Sequence, residues 1–242
     1  MAKTNSNILT QLVEDLRAAH GENLTSVVLY GSIAAGDHDD ARSDHNILIA
    51  LKRITTDDLR LSQKPMEEWR RRGQPLPVYF TVQELERAAD VFPIEFLQME
   101  KARKVLFGPD PFEYLEISPA NLRRQTEYEL RTRLIQLRRL YIPSSSSVDK
   151  LSALLSDSLA SFAALFRATL ILRGEEPPVT KPEIVQAIVR LLALDPSPFR
   201  RVFEMRADGK SSLSLAEVNE VFARYMDQIE RVIEAVDQLD GE

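Results

Sequence analysis

The sequence predicts an α+β protein: a mixed sheet with flanking helices, followed by an all-helical bundle. Three observations carry that reading. Two nearly continuous apolar runs of strand length, residues 27–30 and 47–51, stand close together in the first half of the chain. Runs of that kind form strands covered on both sheet faces. Stretches with apolar residues at helical spacing surround them. Beyond a proline-rich segment at residues 108–119, the helical spacing continues without another strand pattern. That segment separates a sheet-containing domain, residues 1–110, from a helical domain, residues 119–242.

Each element has its own signal. Over residues 7–20, Ile8, Leu12, Leu16 and Ala19, with Leu9 and Val13, form one stripe. Ser6 or Asn7 suits the start of that helix, and Gly21 its end. The stretch 57–72 is helical, with Pro65 suited to the opening turn of a new helix. It ends in Arg70-Arg71-Arg72, which reads as a solvated helix end or as a phosphate contact. Residues 77–81 form a short strand. Thr81 then caps a helix, with Glu84 three residues on completing a capping box. Pro93 opens the next helix, and residues 104–107 give the last strand.

The second half reads as helices at 120–141, 148–173, 181–194, 199–205 and 215–239. Pro143 and the serines at 144–147 read as a flexible link. The stretch 148–173 is apolar around most of its circumference, which suits the centre of a bundle. Gly174 ends it, and Pro177-Pro178 forbids its continuation. Ser214 and Glu217 form a second capping box. The arginines at 123, 124, 131, 133, 138 and 139 decorate the first of these helices. They suit helix-surface pairs with Glu127 and Glu129, or contact with a nucleotide.

The candidate site is the turn after the first strand. Gly31 permits a tight turn and close approach of an anion. Ser32 can cap a short helix or donate its hydroxyl to a phosphate. Twelve residues after Ser32, Asp44 heads the second apolar run behind Ser43, and a carboxylate there can hold a divalent metal. The loop between carries Asp37, Asp39 and Asp40, a composition that reads as a solvated turn or as the source of a replacement metal ligand. His45 lies between Asp44 and Asn46, so strand alternation turns it away from their face, packed or exposed.

Gly31, Ser32, Ala34, Gly36, Ser43 and Asp44 stand in register with a known pattern. The chain resembles the nucleotidyltransferase superfamily related to kanamycin nucleotidyltransferase and DNA polymerase beta. In that pattern Gly-Ser is followed by Asp-x-Asp at the next strand. The resemblance implies a nucleotidyltransferase-like domain at residues 1–110. It implies transfer of a nucleoside monophosphate from a nucleoside triphosphate to a small-molecule or protein acceptor, with Mg2+. Gly31, Ser32 and Ser43 would hold the triphosphate, Asp44 the metal, and Asp44 with Asn46 the catalytic positions.

Three departures go with the match. The second metal carboxylate falls at Asn46, a neutral amide and a poorer ligand for a hard cation. Ala35 stands where an arginine is common. The strand at 77–81 has no acid, which leaves Glu95 as a candidate third carboxylate. These losses support an alternative: an inactive nucleotide-binding or protein-interaction module of the same fold. The helical half, through its layout and residues 167–178, resembles the bundle appended to kanamycin nucleotidyltransferase-like and HEPN-type proteins. It is a candidate homodimer interface. HEPN ribonucleases need a histidine in that half, and the three histidines here are His20, His38 and His45.

Composition removes other classes. The net charge is −6, which gives no electrostatic case for nucleic-acid binding. Cysteine is absent, so disulfides and thiolate metal sites are excluded. The first residues lack an apolar signal segment. No apolar run is expected to approach the roughly 18 residues needed to span a bilayer. A cytoplasmic location without membrane contact is the expectation. No P-loop and no Gly-x-Ser-x-Gly elbow occurs.

Overall fold

The computed structural model describes residues 2–35, 44–208 and 213–239. The chain divides into two compact units, Met1–Ser118 and Pro119–Glu242.

The first unit is built on a four-stranded sheet of order β3-β2-β1-β4. Its strands are β1 (Leu24–Tyr30), β2 (Asn46–Leu51), β3 (Val78–Thr81) and β4 (Arg103–Phe107). β1 runs antiparallel to β2 and β4, while β2 and β3 are parallel, so the sheet is mixed. Its helices are α1 (Ala2–His20), α2 (Ser32–Ala35), α3 (Thr56–Leu61), α4 (Gln63–Arg71), α5 (Val82–Ala88) and α6 (Pro93–Lys101).

Side-chain alternation divides the central strands between two cores. Val27, Leu29, Ile47, Ile49 and Leu51 pack with Leu12 and Leu16 of α1 and with Met66 and Trp69 of α4. Val28, Leu48 and Ala50 pack on the other face with Leu85, Phe96, Met99 and Phe112. Val27, Val28, Leu48 and Ile49 are wholly buried, each adding about 1.5–3 kcal/mol of hydrophobic stabilisation. This two-sided covering is why both strands read as continuous apolar runs. β1 begins earlier than its apolar run because Ser26 is accommodated: buried, it donates to the Phe107 carbonyl at 3.0 Å.

Local signals hold at several ends. Thr81 and Glu84 form the reciprocal capping box. Pro65 lies in the opening turn of α4, and Pro93 opens α6. One start differs: α1 begins at Ala2, ahead of the Ser6 or Asn7 cap.

The second unit is helical: α7 (Pro119–Ser144), α8 (Val148–Leu172), α9 (Lys181–Leu191), α10 (Ser197–Asp208) and α11 (Leu215–Asp237). α8 is its centre, with Leu151, Leu155, Leu159, Phe162 and Phe166 buried. α8 is long and apolar enough to cross a membrane by length and composition alone, a test that the core helix of a bundle also meets, and half of its most apolar window is buried within the fold. The serine run is a corner between helices. α7 continues through Pro143 to Ser144, Ser147 caps α8, and Asn219 of α11 donates to the Ser145 carbonyl at 3.1 Å. Gly174, at φ +76°, closes α8 while Glu175 N–H reaches back to the Leu170 carbonyl at 2.9 Å.

Candidate functional site

The antiparallel pairing of β1 and β2 sets Tyr30 opposite Asn46. The chain leaves β1 at Gly31, which has φ +88°. A side chain is strained there, and the space its Cβ would take is tight: the Asn46 Nδ2 lies 3.1 Å from that point. Two properties of glycine are therefore used together, its left-handed backbone and its lack of a Cβ. The Gly31 N–H donates to the Ala102 carbonyl at 2.9 Å, tying the turn to the start of β4. Ser32 follows as the first residue of α2, a single turn of four residues.

Asp44 lies exposed just ahead of β2, and Asn46 is partly buried at its first position. Asn46 alternates with Leu48 and Ala50, which face α5 and α6. His45 points the other way, as alternation requires. Its ring is buried against Trp69, centroids 6.1 Å apart. Gln74 grips it twice: its Oε1 accepts from the His45 N–H at 2.9 Å and lies 3.1 Å from Nδ1. Trp69 in turn donates Nε1–H to the Pro75 carbonyl at 2.7 Å. This clamp fixes the head of β2, so Asp44 and Asn46 are presented at a defined place. Nothing in the sequence marks Gln74 for this role, because its partner lies 29 residues away.

Arg103 and several charged residues singled out by the sequence are already paired. Arg103, opposite Tyr30 on β4, pairs with Asp110 at 2.8 Å and lies over the Phe112 ring. Its guanidinium also donates to the Glu100 carbonyl. Burial pushes the Tyr30 phenol above its ordinary value, so it stays protonated at neutral pH. Arg71 and Arg72 pair with Glu67 and Glu68, a solvated helix end. On α7, Arg123, Arg131, Arg133 and Arg138 pair within their own unit, with Glu127, Asp237, Glu129 and Glu230.

Of the sequence-predicted site residues, Gly31 and Asn46 touch, Asp44 lies two residues before Asn46, and Ser32 heads α2. Ser43 and the acids Asp37, Asp39 and Asp40 lie outside the described residues. Glu95 is exposed in the first turn of α6. β3 sets Val78 and Phe80 beside Leu48 and Ala50 and offers no carboxylate. Among the described residues, no group of three Asp, Glu, His or Cys side chains could hold a metal. The described residues therefore do not fit a two-ion centre: one exposed carboxylate and a neutral amide supply too little negative charge.

The described fold matches a solved structure over nearly its whole length. That structure is the spectinomycin adenyltransferase AAD(9) from Enterococcus faecialis, solved with ATP and spectinomycin. The TM-score is 0.56 at 13% sequence identity, covering 96% of this chain and 99% of the other. The chain has a nucleotidyltransferase-like fold. No protein-family model matches its sequence, and neither does any curated protein. At this identity the likeness speaks for the fold, and the site must be read from its own residues.

Proposed function

We propose that the protein binds a nucleoside triphosphate at the Gly31 corner and transfers its nucleoside monophosphate, slowly, to a small-molecule or protein acceptor. The observation that carries this is the corner itself: a glycine turn with an open left-handed backbone, faced by Asn46 and flanked by Asp44, in a nucleotidyltransferase-like fold. The adenyltransferase of similar fold was solved with ATP and a small acceptor, spectinomycin, which supports the same ligand classes here.

In this reading Gly31, Ser32 and Ser43 form the phosphate-binding side. Asp44 would be the residue that holds a Mg2+ ion, which would supply charge neutralisation for the triphosphate. The acceptor oxygen forms a bond to the α-phosphorus, pyrophosphate leaves, and the acceptor proton passes to solvent. The protein's contribution is to hold the reacting groups in line. Transfer is slow because Asn46 brings no charge to the centre.

A second reading is binding without transfer, as in a regulatory module. The acid-free face of β3 and the amide at Asn46 favour it. One experiment separates the two. Transfer of label from the α-position of ATP or GTP is followed in wild type and Asn46→Asp, with candidate acceptors. Slow transfer that rises at least about tenfold in Asn46→Asp, or about 1.4 kcal/mol of barrier, supports the transferase. Binding with no transfer in either protein supports the module. Absence of triphosphate binding rules out both the transferase and a nucleotide-binding module, and favours a protein-interaction module of the same fold.

A further inference from the structure

Asn46 presents a hydrogen-bond donor to the glycine corner. Its Nδ2 stands 3.1 Å from the place of a Gly31 Cβ. The residue is partly exposed, and its amide has no hydrogen-bond partner among the described residues. The Gly31 N–H is already taken by the Ala102 carbonyl. Among the described residues, the corner thus holds an unpartnered amide donor beside a glycine.

The chemistry of that donor differs from that of a carboxylate. A carboxylate meets a phosphate only through a cation placed between them. An amide N–H meets a phosphate oxygen directly, in a short, charge-assisted hydrogen bond. Resting on the proposed nucleotide site, we infer that the Asn46 carboxamide hydrogen-bonds the triphosphate itself. No divalent ion is then required at this position, and nucleotide binding at the corner persists without metal.

Inorganic triphosphate, which carries no base, tests the contact directly; ATP and GTP are titrated beside it. Calorimetry of the whole protein is run in EDTA and in excess Mg2+. Wild type is expected to bind in EDTA, more weakly than in Mg2+ because the Asp44 carboxylate then lacks a cation, but without losing the contact made by Asn46. Asn46→Asp is expected to lose about tenfold or more in EDTA, the size of a hydrogen bond to a charged group, and to recover in Mg2+. Asn46→Ala brings no repulsion and is expected to lose affinity equally in both buffers, with its melting curve confirming the fold. Wild-type binding that needs Mg2+, or Asn46→Asp binding unchanged in EDTA, overturns the inference and leaves the nucleotide site standing. No binding of triphosphate, ATP or GTP in either buffer overturns the proposed function on which it rests.

Discussion

Replacing Gly31 with alanine acts on the corner in two ways. At φ +88° an L side chain is strained, at roughly 1–3 kcal/mol. The added Cβ also falls 3.1 Å from the Asn46 Nδ2, so the amide must shift by a few tenths of an ångström. A control separates the two effects. Gly21→Ala, at φ +52° with nothing within 4 Å of its Cβ, carries backbone strain alone. Gly31→Ala is expected to destabilise by about 2–3 kcal/mol, more than Gly21→Ala at about 1 kcal/mol. In an Asn46→Ala background the contact is absent, and the cost of Gly31→Ala is expected to fall by at least about 0.5 kcal/mol, the coupling typical of touching residues. Urea unfolding followed by circular dichroism measures all four proteins of the cycle. A cost for Gly31→Ala that is no larger than for Gly21→Ala, or that is unchanged when Asn46 is alanine, would refute the close packing of this corner.

Three further outcomes are expected. Gly108→Ala should be severe, because its Cβ would lie 1.9 Å from the Thr25 carbonyl oxygen of β1 at φ +75°; a loss above about 3 kcal/mol is expected by denaturation, at the upper end for single substitutions, and a loss under about 1 kcal/mol would contradict the β1–β4 geometry. Gln74→Ala leaves the buried His45 N–H without its acceptor, which should cost about 1–3 kcal/mol and weaken triphosphate binding; unchanged binding would show that the clamp does not position Asp44 and Asn46. His20 is buried, with Nε2 2.8 Å from the Ser62 hydroxyl, and burial lowers its pKa below 6.5 despite the nearby Asp58 carboxylate. The unfolded chain therefore takes up a proton first as pH falls below about 6.5, and the folded protein is destabilised progressively until its own lower pKa is reached. Urea midpoints at pH 7 and pH 5 should show that slope, and His20→Asn should flatten it.

The parts of the fold written in local chemistry were legible in the sequence. The capping boxes at Thr81–Glu84 and Ser214–Glu217 depend on residues three apart, and both form. The two central strands announce themselves because each is buried on both faces. The side of His45 follows from alternation alone. Features set by distant partners were not legible. The serines at 144–147 look like a flexible link, yet Asn219, far along the chain, holds the corner in place. Trp69 and Gln74 lie in and after a helix whose pattern speaks only of its own stripe, while both pack on the head of β2. In the candidate site, the resemblance pointed to Gly31, Asp44 and Asn46 as candidates. It could not show that the Asn46 amide rests over Gly31, which depends on the register of Tyr30 with Asn46.

The most direct test of nucleotide binding at the Gly31 corner is thermal unfolding of the whole protein with and without ATP, GTP and Mg2+. A ligand at 100 times its dissociation constant stabilises the folded state by about 2.7 kcal/mol, which for a chain of this size is a rise of roughly 5–10 °C. The expected result is a rise with at least one triphosphate, reduced in Asn46→Ala. An unchanged melting temperature with every triphosphate, in the presence and absence of Mg2+, would contradict the assignment of the Gly31 corner as a nucleotide site.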